Sequence, residues 1–177
     1  IDAGANIGCS TVYFKKIFSH STIISIEPEK ENFFCLLKNI EVNNLSGVIP
    51  LRAALWINRD DLEIRQDFAD RREWAYRVVS AYPKKDLEEV VKGITLSDLL
   101  IQYAFPYIDI LKIDIEGAER FIFENEERVQ SFLPLVKYLV MEIHKQFDIT
   151  DKILALLKKF GFSYFFSGEL TIARNEK

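Results

Sequence analysis

Apolar positions along this chain alternate between two rhythms. Runs at 22–26, 48–56, 108–113 and 136–143 read as strands, and between them 10–18, 31–43, 95–103, 117–132 and 149–160 carry apolar residues at helical spacing. The stripe of the first helix is Val12, Tyr13, Ile17 and Phe18; that of the second is Phe33, Phe34, Leu37 and Ile40. Thr95 or Ser97 is placed to cap the third helix, and Gly161 closes the last. The run 108–113 is nearly all apolar, which predicts a central strand covered on both faces. Two final strands, 162–166 and 170–174, meet at Ser167-Gly168-Glu169, a hairpin signal. Strands alternating with helices predict an α/β fold, with right-handed crossovers placing helices on both faces of a mostly parallel sheet. The closing hairpin adds an antiparallel strand.

The chain opens on Ile1-Asp2-Ala3-Gly4-Ala5-Asn6-Ile7-Gly8, a glycine turn between a strand and a helix, and Glu27 stands at the tip of the next strand. Glycines let backbone approach a ligand closely, and a carboxylate at that strand tip accepts from two ribose hydroxyls. This layout holds a nucleoside. The dinucleotide turn needs three glycines, whereas here Asn6 stands where the middle one would be. The phosphate-cradling loop needs Lys-Ser or Lys-Thr after its last glycine, but Cys9-Ser10 follow Gly8. No cation lies between Asp2 and Thr11, so the turn suits a cofactor with a positive, amine-bearing end. S-adenosylmethionine has such an end: Asp2 faces the ammonium side through water, and Glu27 the ribose. A tight turn with no ligand is the plainer alternative.

At 177 residues, 49% hydrophobic and 28% charged, the chain suits a single domain spanning 1–177 with a sizeable core. A net charge of −4 gives no general pull toward nucleic acid or anionic lipid, and no apolar run reaches the length of a membrane span. Neither partner is expected, and the expected location is cytoplasmic. Cys9 and Cys35 fall on predicted helices and read as reduced core residues rather than a disulfide. The first strand is cut to its last residues, which suggests a portion of a longer protein. The oligomeric state is left open.

Residues 57–94 break the rhythm. They mix many charges with Phe68, Trp74, Tyr76 and Tyr82, and connections this long are usually functional or disordered. Residues 61–66 and 76–82 are able to pair as a small hairpin. The stretch reads as a lid or substrate wall, in which Arg71, Arg72, Trp74 and Tyr76 stack on or clamp a sugar-like or anionic acceptor; a solvated surface excursion is the alternative.

A second signature, Asp109-Ile110-Leu111-Lys112-Ile113-Asp114-Ile115-Glu116-Gly117-Ala118-Glu119, closely resembles the L-K-I-D-x-E-G-x-E motif of FkbM-type S-adenosylmethionine-dependent methyltransferases. The opening D-x-G-A-N-x-G, the helix start Thr95-Leu96-Ser97-Asp98-Leu99-Leu100 and the strand ending Met141-Glu142-Ile143-His144 resemble the same family. The likeness weakens in 57–94. It implies a Rossmann-like sheet of order 3-2-1-4-5-7-6 and methyl transfer, usually to a hydroxyl on a sugar, polyketide or similar metabolite. By motif match, Asp2, Gly4, Asn6 and Gly8 fall on the cofactor turn, Glu27 on the ribose acid, and Ala54 and Leu55 beside the adenine.

Sites in open parallel sheets lie beyond the carboxyl ends of the strands. There the sequence puts Asp114 and Glu116 after one strand, Glu142 and His144 at the end of the next, and His20 at the opposite edge. A sulfonium donor is already activated, so what remains is placement of the acceptor and removal of its proton. His144 is the expected general base, with Glu142 or Glu116 orienting it or the acceptor and Asp114 beside the cofactor; a histidine capping a strand end is the alternative. A divalent metal held by Asp114, Glu116, Glu142 and His144 ranks below the metal-free base, because residues two apart need not converge. Lys112 is expected to pair structurally with Asp114. The remaining alternatives are an NAD-dependent oxidoreductase, against which the missing glycine and the hairpin speak, and a cofactor-binding module without catalysis.

Overall fold

A computed structural model describes residues 1–66, 76–80, 90–144 and 147–177. The strands and helices follow the chain as β1 (Asp2–Ala3), α1 (Cys9–Ile17), β2 (Ile23–Ile26), α2 (Lys30–Val42), β3 (Val48–Leu51), β4 (Ala54–Leu55), β5 (Asp61–Gln66), β6 (Tyr76–Ser80) and β7 (Val90–Ile94). Then come α3 (Leu96–Gln102), β8 (Ile108–Ile113), α4 (Glu119–Glu124), α5 (Glu126–Phe132), β9 (Val136–Glu142), α6 (Thr150–Lys159), β10 (Phe162–Ser167) and β11 (Leu170–Asn175). The larger sheet has the strand order β10-β11-β9-β8-β1-β2-β3. Read from the other edge this is the expected 3-2-1-4-5-7-6. Strands β1, β2 and β3 pair in parallel, as do β8 and β9, while β11 runs antiparallel to both β9 and β10. The fold is a Rossmann-like methyltransferase fold with an antiparallel C-terminal hairpin.

Two compact units make up the chain, one of residues 1–55 with 59–93, the other of 56–58 with 94–177. In the first, Ala3, Ile24, Ile26 and Leu36 are buried. The apolar stripes predicted for its helices face inward only in part, with Val12, Phe33 and Ile40 half-buried. Tyr13, Ile17, Phe18, Phe34 and Leu37 are exposed, and α1 buries Thr11 and Lys15 instead. The reason is polar anchoring: the Thr11 hydroxyl donates to Asp2, and the Lys15 ammonium reaches the Ser21 carbonyl. Buried donors and acceptors must be paired, and that requirement orients the helix against its apolar period. Cys9 and Cys35 are free thiols on helices, as expected, but both are exposed rather than core residues.

The predicted strand 48–56 is divided. β3 ends at Leu51, whose carbonyl accepts from Ala53 N at 3.1 Å in a tight turn, and β4 joins a second sheet of order β4-β7-β5-β6. Ala54 and Leu55 therefore lie on β4, not at the end of β3. The predicted pairing of 61–66 with 76–82 is present as β5 against β6, from Leu62↔Ser80 to Gln66↔Tyr76. Arg71, Arg72 and Trp74 lie outside the described residues, as does the side chain of Tyr76.

In the second unit Leu111, Ile113, Leu139, Met141, Ile153 and Leu157 are fully buried. Coverage of β8 is less even than its apolar run predicts, since Asp109 is exposed and Ile110 half-buried. Thr95 is the cap of α3: its hydroxyl accepts from Asp98 N at 3.0 Å while Thr95 N donates to the Asp98 carboxylate at 3.2 Å. This reciprocal box excludes Ser97 from that role. The single helix expected over 117–132 is two. Asn125 is extended (φ −106°, ψ 115°), and its side chain caps α5 by accepting from Arg128 N. Among the described residues no helix is long and apolar enough to cross a membrane.

Candidate active site

The glycine turn is built from backbone that most residues avoid. Gly4, Asn6 and Gly8 have φ of 77°, 50° and 91°. Glycine takes this left-handed region freely, and asparagine is the side chain that tolerates it best. Gly8 has a second constraint, because a Cβ there would lie 2.6 Å from Cδ1 of the buried Leu36. The turn is tied to β2 by Gly4 N and Ala5 N, which both donate to the Ile26 carbonyl at 3.0 Å.

Asp2 is fully buried, and its Oδ2 accepts from the Ser10 and Thr11 hydroxyls, each at 2.7 Å. One carboxylate thus fastens β1 to the start of α1. Glu27 is also buried. Its Oε2 accepts from Asn6 N at 2.8 Å and its Oε1 from Glu29 N at 3.0 Å. Burial pushes its pKa up to about 7, against the lowering by those backbone donors. A carboxylate offers about four lone-pair sites. With one backbone amide on each oxygen and the Asn32 side chain as a further donor, Glu27 keeps acceptor capacity for a ribose hydroxyl. The positive-φ turn, the absence of a nearby cation on it and this doubly anchored acid fit the nucleoside end of S-adenosylmethionine.

The second unit carries the cluster at the tips of β8 and β9. After Ile113 the chain turns through Glu116 (φ 51°) and Gly117 (φ 87°) before α4 begins. Holding a glutamate in the left-handed region costs on the order of 1 kcal/mol, the kind of strain that gathers at functional sites. That turn brings Glu116 Oε2 to 3.4 Å from His144 Nε2, and Glu142 Oε1 stands 4.0 Å from the same nitrogen. Lys112 Nζ lies 3.5 Å from Asp114 Oδ2, the pairing expected for it.

A residue not weighed from sequence completes the cluster. Glu119 is fully buried, and its Oε1 accepts from both His144 N (3.0 Å) and His144 Nδ1 (2.9 Å). It is the last acid of the D-x-E-G-x-E run, and its place on the first turn of a helix was the available signal. Pairing with Glu116 first and Glu119 second raises the His144 pKa to about 10, against burial that lowers it. An imidazole so paired is protonated at neutral pH and has no lone pair with which to take a proton. Glu142 is shifted up by burial and by the neighbouring charge of Asp114. Among the described residues no three His, Cys, Asp or Glu side chains are placed to share a metal ion.

The sheet order and glycine turn define a Rossmann-like methyltransferase fold. The methyltransferase FkbM domain family matches residues 2–164, and the chain belongs to it. The family's methyl donor is S-adenosylmethionine. "Methyltransferase 1" of Beauveria bassiana (strain ARSEF 2860) is 30% identical, over 67% of this chain and 54% of that protein. "Methyltransferase sdnD" of Sordaria araneosa is 28% identical, over 92% of this chain and 72% of that one. The chain thus spans just over half the length of the Beauveria protein. Among solved structures, a precorrin-6y C5,15-methyltransferase from Geobacter metallireducens GS-15 superposes with a TM-score of 0.54 at 12% identity, covering 99% of this chain and 78% of that one. The METTL16 MTase domain gives 0.55 at 15% identity, covering 99% and 59%. At such identities the likeness concerns the fold alone.

Proposed function

We propose that this chain methylates a hydroxyl oxygen of a small metabolite such as a sugar or polyketide. The observation that carries this reading is the cluster of Glu142, His144 and Glu116 at the tips of β8 and β9. Hydroxyl attack requires a proton acceptor tuned toward neutral pH. Glu142, whose pKa burial and the neighbouring Asp114 shift upward, is the group we assign to that need. Bound S-adenosylmethionine supplies a methyl group already activated on a sulfonium. The turn at Asp2, Gly4, Asn6 and Gly8 together with Glu27 holds its nucleoside. Glu142 takes the hydroxyl proton, and His144, carrying its own proton, holds Glu116 in place beside the acceptor. This gives His144 an orienting role and passes the base role expected of it to Glu142, because both its ring nitrogens are committed to carboxylates.

The test is a screen of metabolite extracts with isotopically labelled S-adenosylmethionine. The expected outcome is a product carrying one labelled methyl group on oxygen. A product labelled on nitrogen or carbon would reject the hydroxyl assignment, and absence of donor binding by calorimetry would reject the whole reading.

A further inference from the structure

Glu119 is the most deeply placed charge of the second unit, and nothing in the reaction requires a carboxylate at that depth. Its surroundings argue for a purpose. It begins α4, immediately after the strained Glu116–Gly117 turn, and is fully buried. Burying an acid is costly unless its partners are charged or strongly donating. Its Oε1 has two such partners, the backbone N and the ring Nδ1 of one residue, His144. Two donors from one residue on one oxygen fix both where the β9 tip lies and how its ring is turned.

We propose that Glu119 is a positioning residue, which by accepting from the amide and from Nδ1 of His144 locks the ring with Nε2 toward the Glu116 and Glu142 carboxylates. The inference rests on the proposed role of that cluster in methyl transfer. The geometry is specific: Nδ1 is 2.9 Å from Glu119, while Nε2 is 3.4 Å from Glu116 and 4.0 Å from Glu142. A rotated ring would withdraw a donor from Glu119 and leave that buried acid with only the amide on Oε1. Three acids from three places therefore face His144: Glu119 from α4, Glu116 from the turn before it, and Glu142 from β9. Asp114 and Glu169 act on Glu142 from beyond them. Only Glu119 of the three facing acids is withdrawn from solvent, so its charge is the least screened by salt.

The chain has two histidines, so ¹⁵N-histidine labelling yields two ring systems, and His20→Gln assigns them. In the unsubstituted protein the Nδ1 proton of His144 is expected downfield and slow to exchange, with the ring protonated through neutral pH. Rapid exchange of that proton with water would overturn the proposal without any variant. Glu119→Gln keeps size and an acceptor oxygen but removes the charge. It is expected to lower the His144 titration midpoint by at least about one pH unit, with affinity for S-adenosylmethionine unchanged. An unmoved midpoint would overturn the proposal, and so would a weakened donor site, which would mark Glu119 as merely structural. Normal turnover by His144→Ala would instead sink the catalytic reading, while the ring titration of the unsubstituted protein and its shift in Glu119→Gln would stand.

Discussion

Asn6 donates its backbone N–H to Oε2 of Glu27 at 2.8 Å, joining the glycine turn to the acid at the tip of the neighbouring strand. The bond has a cause in each partner. Asn6 aims its amide there because it takes a φ of 50°, and Glu27 is held to receive it because its other oxygen accepts from Glu29 N at 3.0 Å. The turn and the strand-tip acid are thus one device, although twenty-one residues apart.

Donor affinity is expected to rise with pH. Under the proposed function the carboxylate form of Glu27 is the one that accepts from the ribose, and its pKa is about 7. Affinity for S-adenosylmethionine should therefore increase about tenfold from about pH 6 to about pH 8. Glu27→Gln should flatten that dependence and weaken binding by about ten- to a hundredfold, the worth of a charged hydrogen bond. Calorimetry across the pH range checks both, and a pH-independent affinity in the unsubstituted protein would remove the assignment.

The same group makes the ligand-free protein pH-sensitive in the opposite sense. Its folded pKa of about 7 lies above the ordinary 4.5. Its contribution to stability is therefore present in full below about 4.5 and is lost as pH rises through about 7, a change of roughly 3 kcal/mol. Glu27→Gln cannot ionise, so its stability should stay level where the parent declines. Only the slope is diagnostic, because glutamine orphans one of the two backbone donors and lowers the absolute value. Urea unfolding at several pH values reads it.

Gly117→Ala is expected to destabilise the protein by about 2 kcal/mol or more. Its φ is 87°, and an added Cβ would lie 2.0 Å from the Phe147 ring. The two causes are separable. Phe147→Ala removes the collision but leaves the backbone strain, so the double substitution should recover part of the loss beyond additivity. Additive losses in a urea-unfolding cycle would show that the ring yields freely.

Much of this was legible before the structure. The hairpin, the Asp2–Gly8 turn and the place of Glu27 at a strand tip follow from local pattern, since glycine placement, strand length and a strand-tip acid are short-range signals, whereas the strand order came from the family resemblance. What escaped the pattern depends on partners far away in sequence. The apolar period of α1 pointed to Tyr13 and Ile17, yet Thr11 is the residue turned inward, for its bond to Asp2. The helix break at Asn125 was hidden among good helix formers and is set by that residue's own cap. Glu119 looked like one more charge on a helix, and only its pairing with His144, twenty-five residues on, gives it a role. The protonation of His144 likewise follows from Glu116 and Glu119 together, a juxtaposition that spacing alone does not supply.

The pH dependence of turnover should distinguish the two groups proposed to handle the acceptor. Below its folded pKa, which is raised by burial and by Asp114, Glu142 carries a proton and cannot take another, so the rate should climb with pH along an acid limb. His144 holds its proton to about 10, so the rate should fall again only in strongly alkaline solution, as the ring loses the charge that fixes Glu116. Glu142→Gln is expected to abolish the acid limb and lower kcat by about a hundredfold or more, with donor affinity unchanged. His144→Asn should instead remove the alkaline limb and leave the acid one. Were His144 the base, the two results would be exchanged: the acid limb would be set by the ring near pH 10, and Glu142→Gln would leave it in place. The measurement is kcat against pH for each variant, with the acceptor found in the labelled-methyl screen.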